Sequence, residues 1–452
     1  MKPTTAPRTY RVKSFGCQMN VYDGERMAEM LGARGIVPAA EGEDADLVVL
    51  NTCHIREKAA EKVYSDIGRL TKGKTQDKAP IIAVAGCVAQ AEGEEIMARA
   101  PAVSMVVGPQ AYHRLPEMLD KAVAGERSTD TDMPAIAKFA ALPERRRTNP
   151  ASFLTVQEGC DKFCTYCVVP YTRGAEISRP YSDLVTEARK LVEAGAKEIT
   201  LLGQNVSAWS GENDRGHKVG LAGLIRDLAQ VDGLARIRYT TSHPADMDEE
   251  IIAAHGEVEK LMPFLHLPVQ AGNDRVLKAM NRSHTVESYL RLLERFREAR
   301  PDLALSGDFI VGFPGETEAE FEDTLKLVDE VRYAQAFSFK YSPRPGTPAA
   351  SMDGQVAAEV MKDRLARLQD RLNRDQHAFN TASVGKTCEV LVERKGKLPG
   401  QWLGKSPWLQ SVFFEGEDIA IGDLVQATLA DAGPNSLRGE PVSAHERRYE
   451  NA

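Results

Sequence analysis

Short apolar segments alternate with amphipathic helical segments along the first part of this chain, and this alternation restricts its fold more than any other feature. Four strands are predicted within residues 8–123: Tyr10–Phe15, Asp46–Leu50, Ile81–Ala85 and Val103–Val107. The helical segments between them are Asn20–Arg34, Arg56–Leu70 and Gln90–Ala100. Strands separated by helices of this length pair in parallel. The pattern therefore predicts an N-terminal parallel α/β sheet domain over 8–123.

The same alternation returns over residues 151–380, after a stretch at 124–150 that has no sustained period and is predicted to be a linker. Six strands are predicted there: Ser152–Gln157, Glu198–Leu202, Ile237–Thr241, Phe264–Leu267, Leu303–Val311 and Ala336–Lys340. Six β/α units predict a partial (β/α)6 barrel, in which reactive groups gather at the carboxyl ends of the strands. A charged amphipathic helix, Met361–Phe379, closes the series.

Residues 384–445 differ from the rest, because short β-rich pieces are broken there by Gly and Pro. The pieces are Cys388–Glu393, Ser411–Phe414 and Leu424–Leu429. They predict a small C-terminal β-barrel.

The bulk composition limits the setting in which the protein works. The chain has 452 residues, and no apolar run approaches the roughly 18 residues of a membrane helix. Its beginning lacks the apolar core of a secretory signal, so we expect a cytoplasmic protein with no membrane contact. Seven cysteines, an odd number, argue against a disulfide framework in that compartment. With a net charge of −8, any nucleic acid must be met by local basic patches.

Three cysteines stand close together directly after the first barrel strand. Cys160, Cys164 and Cys167 follow a CxxxCxxC spacing, which lets one loop bring three thiolates to one metal centre. Closed zinc and iron–sulfur sites have four protein ligands, so a set of three predicts an open coordination position for a reacting molecule. The alternative is a structural zinc with its fourth ligand, such as a histidine, supplied from elsewhere.

Three further cysteines are distant in sequence but share one setting. Cys17, Cys53 and Cys87 each follow a predicted strand of the first domain and precede a helix. In a parallel sheet these positions share the edge where α/β folds bind ligands, so they predict a second incomplete ligand set. The alternative, three buried core cysteines, would place them inside strands. Cys388 has no cysteine nearby in the sequence and is predicted to be a core residue.

Longer motifs around these cysteines resemble a known family over residues 8–443. The CxxxCxxC loop is similar to the cluster loop of radical S-adenosylmethionine (SAM) enzymes, and the domain order resembles the MiaB-type tRNA methylthiotransferases. The last domain resembles a TRAM domain, a small RNA-binding β-barrel. The segments that carry the resemblance are 51–59 (NTCHIREKA), 157–174 (QEGCDKFCTYCVVPYTRG), 267–273 (LPVQAGN), 308–317 (DFIVGFPGET) and 434–439 (PNSLRG).

This resemblance implies an enzyme with two [4Fe-4S] clusters and SAM. SAM would bind the open iron of the Cys160/Cys164/Cys167 cluster and be cleaved to a 5′-deoxyadenosyl radical. The family's substrate is N6-isopentenyladenosine beside the tRNA anticodon, where hydrogen leaves C2 and a methylated sulfur from the auxiliary cluster replaces it. An aryl C–H has no useful acidity, so this step belongs to cofactors rather than to acid–base side chains. A reducing donor of the flavodoxin type and a monomeric enzyme are also expected.

Several other residues match the family's motifs or stand beside them. Tyr166 corresponds to the aromatic residue near SAM's adenine, and Gln204 to the segment that binds SAM's amino group, where the superfamily often has an acidic residue. Ser242 ends a predicted strand and is expected to line the cavity. Gln18 and Asn20 could reach substrate, although Asn20 could instead cap the following helix.

Basic and aromatic residues interleave in the last domain, as in surfaces that track and stack on single-stranded RNA. Lys386, Arg394 and Trp402 are the predicted contacts, with Trp408 nearby. The alternative is a solvated barrel face with partly buried tryptophans. We also expect phosphate contacts from the arginines at 145–147.

Other functions remain open on the sequence. Two relatives of the same enzyme class act on threonylcarbamoyl-adenosine in tRNA and on an aspartate of a ribosomal protein; residues 55–58 (IREK) and 171–174 (YTRG) favour the isopentenyl-adenosine type. From a different class, the chain could be a non-catalytic RNA-binding protein with structural metal. That alternative leaves both missing fourth ligands unexplained.

Overall fold

The structure, a computed structural model, describes residues 5–54, 57–73, 79–133, 137–145 and 148–442. These residues form two compact units. The first unit contains the described residues up to 145, together with 158–163 and 167–177. The second unit contains the described residues 148–157, 164–166 and 178–442.

A six-stranded parallel sheet forms the centre of the first unit. In spatial order its strands are β2 (Val37–Pro38), β1 (Thr9–Phe15), β3 (Leu47–Thr52), β4 (Ile81–Ala85), β5 (Val103–Val107) and β6 (Ser128–Asp130). The helices are α1 (Gln18–Ala33), α2 (Glu57–Thr71), α3 (Cys87–Glu92), α4 (Glu94–Arg99), α5 (Leu115–Val123), α6 (Ala137–Ala140) and α7 (Val169–Arg173), and a 3₁₀ turn spans Tyr112–Arg114. The predicted parallel sheet is confirmed.

Both faces of this sheet are buried, which explains why its central strands are continuously apolar. Along β3, Val49 belongs to one apolar core, whereas Val48 and Leu50 belong to a second core on the other face. Such alternation follows from the two-residue period of a strand.

Two local features differ from the sequence-based expectation. The helix expected at Gln90–Ala100 is two short helices, α3 and α4, separated by Gly93 at φ 51°. The segment 124–150, expected to be a linker, contributes strand β6 and helix α6 to the first unit. Strand β6 and helix α6 are too short to produce a periodic pattern in the sequence.

The second unit contains six parallel strands arranged as a partial (β/α)6 barrel, as predicted. The strands are β7 (Ala151–Thr155), β8 (Glu198–Leu202), β9 (Arg236–Thr240), β10 (Phe264–His266), β11 (Ala304–Val311) and β12 (Gln335–Lys340). Strands β7–β9 and β10–β12 form two three-stranded sheets, which a parallel bridge between Ile237 and Leu261 joins.

Helices cover the outside of this barrel and enclose one large apolar core. They are α8 (Tyr181–Glu193), α9 (Leu221–Leu228), α10 (Glu249–Glu257), α11 (Asp274–Ala279), α12 (Val286–Ala299), α13 (Glu318–Val331) and α14 (Ala358–Ala382). The 3₁₀ turns are Val206–Ala208, Pro244–Asp246 and Pro348–Ser351, and the shorter strands are Gln157–Glu158, Ile177–Ser178, Ser210–Glu212 and Lys218–Gly220. Among the described residues, no helix is long and apolar enough to cross a membrane.

The C-terminal segment forms a closed five-stranded β-barrel. Its strands are β13 (Thr387–Lys395), β14 (Gln401–Lys405), β15 (Ser411–Glu415), β16 (Leu424–Ala432) and β17 (Leu437–Pro441). The small barrel is confirmed, but β14 and β17 were not predicted because each contains a glycine that resembles a chain break. A Cβ on Gly404 would lie 2.2 Å from the Leu391 carbonyl oxygen, so this glycine permits close strand pairing.

Two buried arginines connect the small barrel to the larger one. Ile237 and Tyr239 of β9 face the helices, so the alternating Arg236 and Arg238 face the barrel interior. Arg238 lies 3.0 Å from Glu198 and donates to the carbonyl oxygens of Ser406 and Pro407 at 3.0 and 2.8 Å. The strand-to-strand turn of the small barrel is therefore held by charged donors at the amino end of β9.

Replacing Arg238 with alanine should strongly destabilise the second unit. The change removes the buried ion-pair partner of Glu198 and the hydrogen bonds that Arg238 donates to two backbone carbonyl oxygens. Such a loss costs about 3–5 kcal/mol of folding free energy. Arg226→Ala, which removes exposed pairs with Glu250 and Glu257, should cost below about 1 kcal/mol. Urea unfolding followed by tryptophan fluorescence reports on this unit, because Trp209, Trp402 and Trp408 all lie in it. Equal losses in the two variants would contradict the proposed anchoring.

Candidate functional site

The strands of the first sheet place three cysteines at one edge. Cys17 comes two residues after β1, and Cys53 directly follows β3. Cys87 begins α3 just beyond β4. Strands β1, β3 and β4 are neighbours and run parallel. Their carboxyl ends therefore bring the three thiols to the same side of the sheet, in the region where parallel sheets bind ligands.

Close backbone approach supports this arrangement. The Cys53 amide donates to the Phe15 carbonyl oxygen at 3.1 Å, which extends the β1–β3 pairing to the cysteine. Gly16, at φ 112°, leaves no room for a side chain, because a Cβ there would lie 2.2 Å from the Cβ of Cys53. The glycine before Cys17 thus allows the two strand ends to meet.

The three thiols influence each other and are largely buried. A hydrogen bond with Cys53, supported by Arg173 and Asn20, lowers the pKa of Cys17 to about 6 against the opposing effect of burial. Burial raises the pKa of Cys87, and the charge of Cys17 contributes in the same direction. A low thiol pKa is typical of thiolates that act as nucleophiles or metal ligands.

A buried charged network lies beside these cysteines, and sequence reasoning missed it. The Arg173 guanidinium is 2.6 Å from Asp23 and 3.4 Å from Glu158. Lys138 lies 2.5 Å from Glu158, and Gln110 donates to the same carboxylate at 2.6 Å. Burial opposes ionisation of Glu158, but Lys138 and Arg173 together lower its pKa. Arg173 was noticed only as part of a motif, because charge burial leaves no periodic signal in a sequence.

The two predicted substrate residues beside Cys17 have different positions. Gln18 is exposed at the start of α1, whereas Asn20 is fully buried. The Asn20 amide donates to the Asn51 side chain at 3.1 Å, and its oxygen accepts from the Cys17 thiol at 3.1 Å. Asn20 therefore contacts Cys17 and Asn51, and α1 has no side-chain cap.

The CxxxCxxC loop is divided between the two units, with 160–163 and 167 in the first and 164–166 in the second. Within the first unit, the Cys160 amide donates to the Gly174 carbonyl oxygen at 3.3 Å. The Cys167 sulfur accepts from the Val169 amide at 3.5 Å. Within the second unit, the Cys164 sulfur lies 3.7 Å from an Arg282 nitrogen.

The predicted SAM contacts lie near strand exits of the second unit. Tyr166 is half-buried and packs against the apolar cluster around Phe313. The Gln204 amide, just beyond β8, donates to the Gln157 side-chain oxygen at 2.9 Å, which also accepts from the Asn205 amide. Gln157, which was not predicted as a site residue, therefore shapes this loop.

Ser242 lies just beyond β9 and is 4% exposed. Within the described residues its hydroxyl oxygen has no hydrogen-bond partner. A buried hydroxyl without a partner is costly unless a ligand or water satisfies it. Its position at a strand exit fits the polar contact that SAM requires.

The histidines near the strand exits have scaffold contacts. His266 shares a 3.0 Å hydrogen bond with Ser306 and lies 3.6 Å from Asp308. His243 accepts from the Ala245 amide through Nδ1 at 3.2 Å. These contacts agree with hydrogen-bonded scaffold histidines.

The predicted RNA contacts are spread over the small barrel. Arg394 is exposed at one end of β13, and Trp402 lies on the neighbouring strand β14. Trp402 packs partly against the barrel core and donates to the Gly416 carbonyl oxygen at 3.1 Å. Lys386 precedes the opposite end of β13, roughly 27 Å from Arg394 at the usual rise per residue. It lies 5.5 Å from the ring of Trp408.

Two other sequence expectations have structural outcomes. Arg145 is buried and paired with Glu25 and Glu29, so it is not placed for the expected phosphate contact. Arg146 and Arg147 lie outside the described residues, as do residues 55–56 and 443–445. Cys388 lies in the small-barrel core, as predicted, where burial raises its pKa to about 11.

The cysteine sets also bear on the type of metal group. Among the described residues, no group of three His, Cys, Asp or Glu side chains is arranged to hold a metal ion. Ligands of a single tetrahedral ion must all lie about 2.3 Å from it. An iron–sulfur cluster attaches each thiolate to a different iron, so its sulfurs stand farther apart. Three thiols at neighbouring strand ends are the kind of ligand set that an iron–sulfur cluster takes.

Comparison with known proteins divides the chain into three matched segments. Residues 9–108 match the uncharacterized protein family UPF0004, residues 154–328 the radical SAM superfamily, and residues 382–442 the TRAM domain. Among solved structures, a radical S-adenosylmethionine methyltransferase, TsrM from Kitasatospora setae, is similar with a TM-score of 0.54 and 14% identity. The match covers 76% of this chain and 77% of that one, and at this identity it supports the fold alone.

Full-length relatives are far more similar. A protein of Erythrobacter litoralis named tRNA-2-methylthio-N(6)-dimethylallyladenosine synthase is 82% identical, over 97% of this chain and 98% of its own length. A protein of the same name from Novosphingobium aromaticivorans is 75% identical, over 96% and 98%. At this identity and coverage, the chain belongs to the family of tRNA-2-methylthio-N(6)-dimethylallyladenosine synthases.

Proposed function

We propose that this chain methylthiolates C2 of N6-isopentenyladenosine beside the anticodon of tRNA, giving 2-methylthio-N6-isopentenyladenosine. The observation that carries the proposal is the pair of three-cysteine sets, one at the carboxyl ends of three parallel strands and the other in the loop that follows β7. Full-length identity of 82% to a relative named for this reaction supports the same substrate. Two incomplete ligand sets match the two tasks of the reaction, radical formation and sulfur delivery.

In this proposal Cys160, Cys164 and Cys167 hold the [4Fe-4S] cluster that binds SAM. With SAM bound, that group supplies a radical able to remove hydrogen from an aryl C–H, which no side chain can do. The chain itself orients and encloses the cofactor. Gln157 fixes the loop of Gln204 through its side-chain oxygen, and Gln204 is the proposed contact for SAM's amino group.

Two other residues complete the proposed SAM site. The Ser242 hydroxyl offers a buried polar contact at the exit of β9. Tyr166, within the cysteine loop, supplies an aromatic surface for the adenine, steadied by its packing against the Phe313 cluster.

Cys17, Cys53 and Cys87 hold the auxiliary [4Fe-4S] cluster that carries sulfur in this proposal. The Asn20 side-chain oxygen lies 3.1 Å from the Cys17 sulfur, and Gly16 lets Cys53 approach. Gln18 is exposed beside this set and is the proposed substrate contact there.

The tRNA reaches the enzyme through its anticodon loop, whose unpaired bases can be turned out at little cost. Arg394 is the proposed phosphate contact of the small barrel, and the half-buried Trp402 on the neighbouring strand is the proposed base contact. Lys386 provides a second, separate positive charge. This separation suits an extended backbone contact more than a single compact patch.

The proposal assigns auxiliary-cluster binding to residues 8–123, radical chemistry to 151–380 and RNA binding to 384–445, joined by 124–150. A flavodoxin-type protein donates the electrons, and the enzyme works as a monomer. A cytoplasmic location suits the reduced cysteines that cluster assembly needs.

A triple variant tests the division of labour between the two cysteine sets. Cys17→Ala, Cys53→Ala, Cys87→Ala should lower the iron content after anaerobic reconstitution from about eight to about four per chain. With SAM, a reductant and isopentenylated tRNA, it should still form 5′-deoxyadenosine but no methylthiolated nucleoside. Mass spectrometry measures both products. The control is Cys388→Ala, which alters a core cysteine and should keep both products.

Two results would contradict this assignment. Full methylthiolation by the triple variant would remove sulfur delivery from the first cysteine set. Zinc, or about four irons, in the unaltered protein would remove the two-cluster proposal itself.

The RNA-binding proposal makes a separate prediction. Arg394→Ala should weaken tRNA binding several-fold and reduce the slope of log affinity against log salt by about 1, because one phosphate contact is lost. Filter binding over a range of salt concentrations measures both quantities. Lys326→Ala removes an exposed charge from the larger barrel and is the matched control. An unchanged slope for Arg394→Ala would exclude this phosphate contact.

A further inference from the structure

Arg173 is a buried cation whose role the proposed reaction does not include. It ends α7, the helix that follows the cysteine loop, and is 3% exposed. Helix α7 packs against α3, which begins at Cys87. All of these residues lie in the first unit. Their contacts bring a guanidinium from the segment after Cys167 to the edge of the sheet that carries the other three cysteines.

An ion pair holds the Arg173 guanidinium near the thiols. Its Nη2 lies 2.6 Å from an Asp23 oxygen, which fixes the guanidinium in place. The positive charge of the same guanidinium lowers the pKa of both Cys87 and Cys17, which places it within electrostatic reach of the two thiols. Glu158, 3.4 Å away, is already paired with Lys138.

The balance of charge favours the cation at the cysteines. Arg173 and Lys138 together match Asp23 and Glu158, so the network is neutral before the thiolates are counted. Arg173 lowers the pKa of Cys17 and of Cys87 by more than Asp23 raises it. Each thiolate ligand adds a negative charge to this buried region, and reduction of a cluster adds another. A fixed positive charge lowers that cost.

We propose that Arg173 is a positioning residue of the auxiliary cluster: held in place by Asp23 on a helix that packs against the Cys87 helix, its guanidinium compensates the thiolate charge and makes the cluster easier to reduce. This inference rests on the proposed function, which places a cluster on Cys17, Cys53 and Cys87. It also links the segment after the radical-SAM cysteines to the auxiliary site through one buried ion pair.

The test uses the full-length chain with Cys160→Ala, Cys164→Ala and Cys167→Ala, so that every cluster signal comes from the auxiliary site. Into this parent we introduce Arg173→Met, Arg173→Gln, Arg173→Lys or, as a control, Arg145→Met. Arg145 is also buried and paired with two carboxylates in the first unit. Iron and sulfide content, the electron paramagnetic resonance spectrum and the midpoint potential are measured after anaerobic reconstitution.

Arg173→Met should make the reduced cluster about tenfold less favourable, a shift of about 59 mV to more negative potential for one electron. Its resonance spectrum should change as well, because a fixed charge beside the ligand sulfurs is lost. Arg173→Lys should recover most of the potential, since the charge remains. Arg145→Met should leave the potential and the spectrum unchanged.

Other results overturn the inference. An unchanged potential in Arg173→Met, or equal shifts in Arg173→Met and Arg145→Met, would show that the charge does not act on the cluster. If Arg173→Met binds no cluster, the lysine and glutamine variants decide: retention by lysine alone supports compensation by charge, and any other pattern rejects it. A parent that binds no iron overturns the auxiliary cluster, and this inference with it.

Discussion

Parallel strand pairing is the constraint on which the candidate sites depend. In the first unit it aligns the carboxyl ends of β1, β3 and β4, and a cysteine stands at or next to each end. In the larger barrel the same pairing brings the exits of β8 and β9 together, so that the Asn205 side chain accepts from the His243 amide. Thiols distant in sequence therefore meet because the strands before them share one direction.

Buried ion pairs are the second organising feature. They are formed by side chains, whereas strand pairing is formed by the backbone. Arg173 is satisfied by Asp23 and Glu158, and Arg238 by Glu198 and two backbone carbonyls. Each arginine joins segments far apart in the chain. Since an unpaired buried charge is costly, any arrangement that separates these segments carries a penalty.

Strands that are continuous apolar runs could be predicted, and strands interrupted by a glycine could not. Strands 81–85 and 103–107 match the expected bounds because continuous apolar runs end at turn residues. Strands β14 and β17 were missed because a glycine that permits close pairing has the same appearance as one that breaks a strand. Asn20 was expected at the substrate, but its bonds to Cys17 and Asn51 became visible only when the strands were assembled.

The sequence by itself determined the fold class, the order of the three segments and the grouping of six cysteines into two sets, because periodicity and position relative to strands are local properties. The tertiary structure alone decided which charges surround those cysteines. Asp23, Lys138, Glu158 and Arg173 are ordinary charged residues in the chain and become one buried network in the first unit. Burial and pairing depend on distant segments, so no local pattern encodes them.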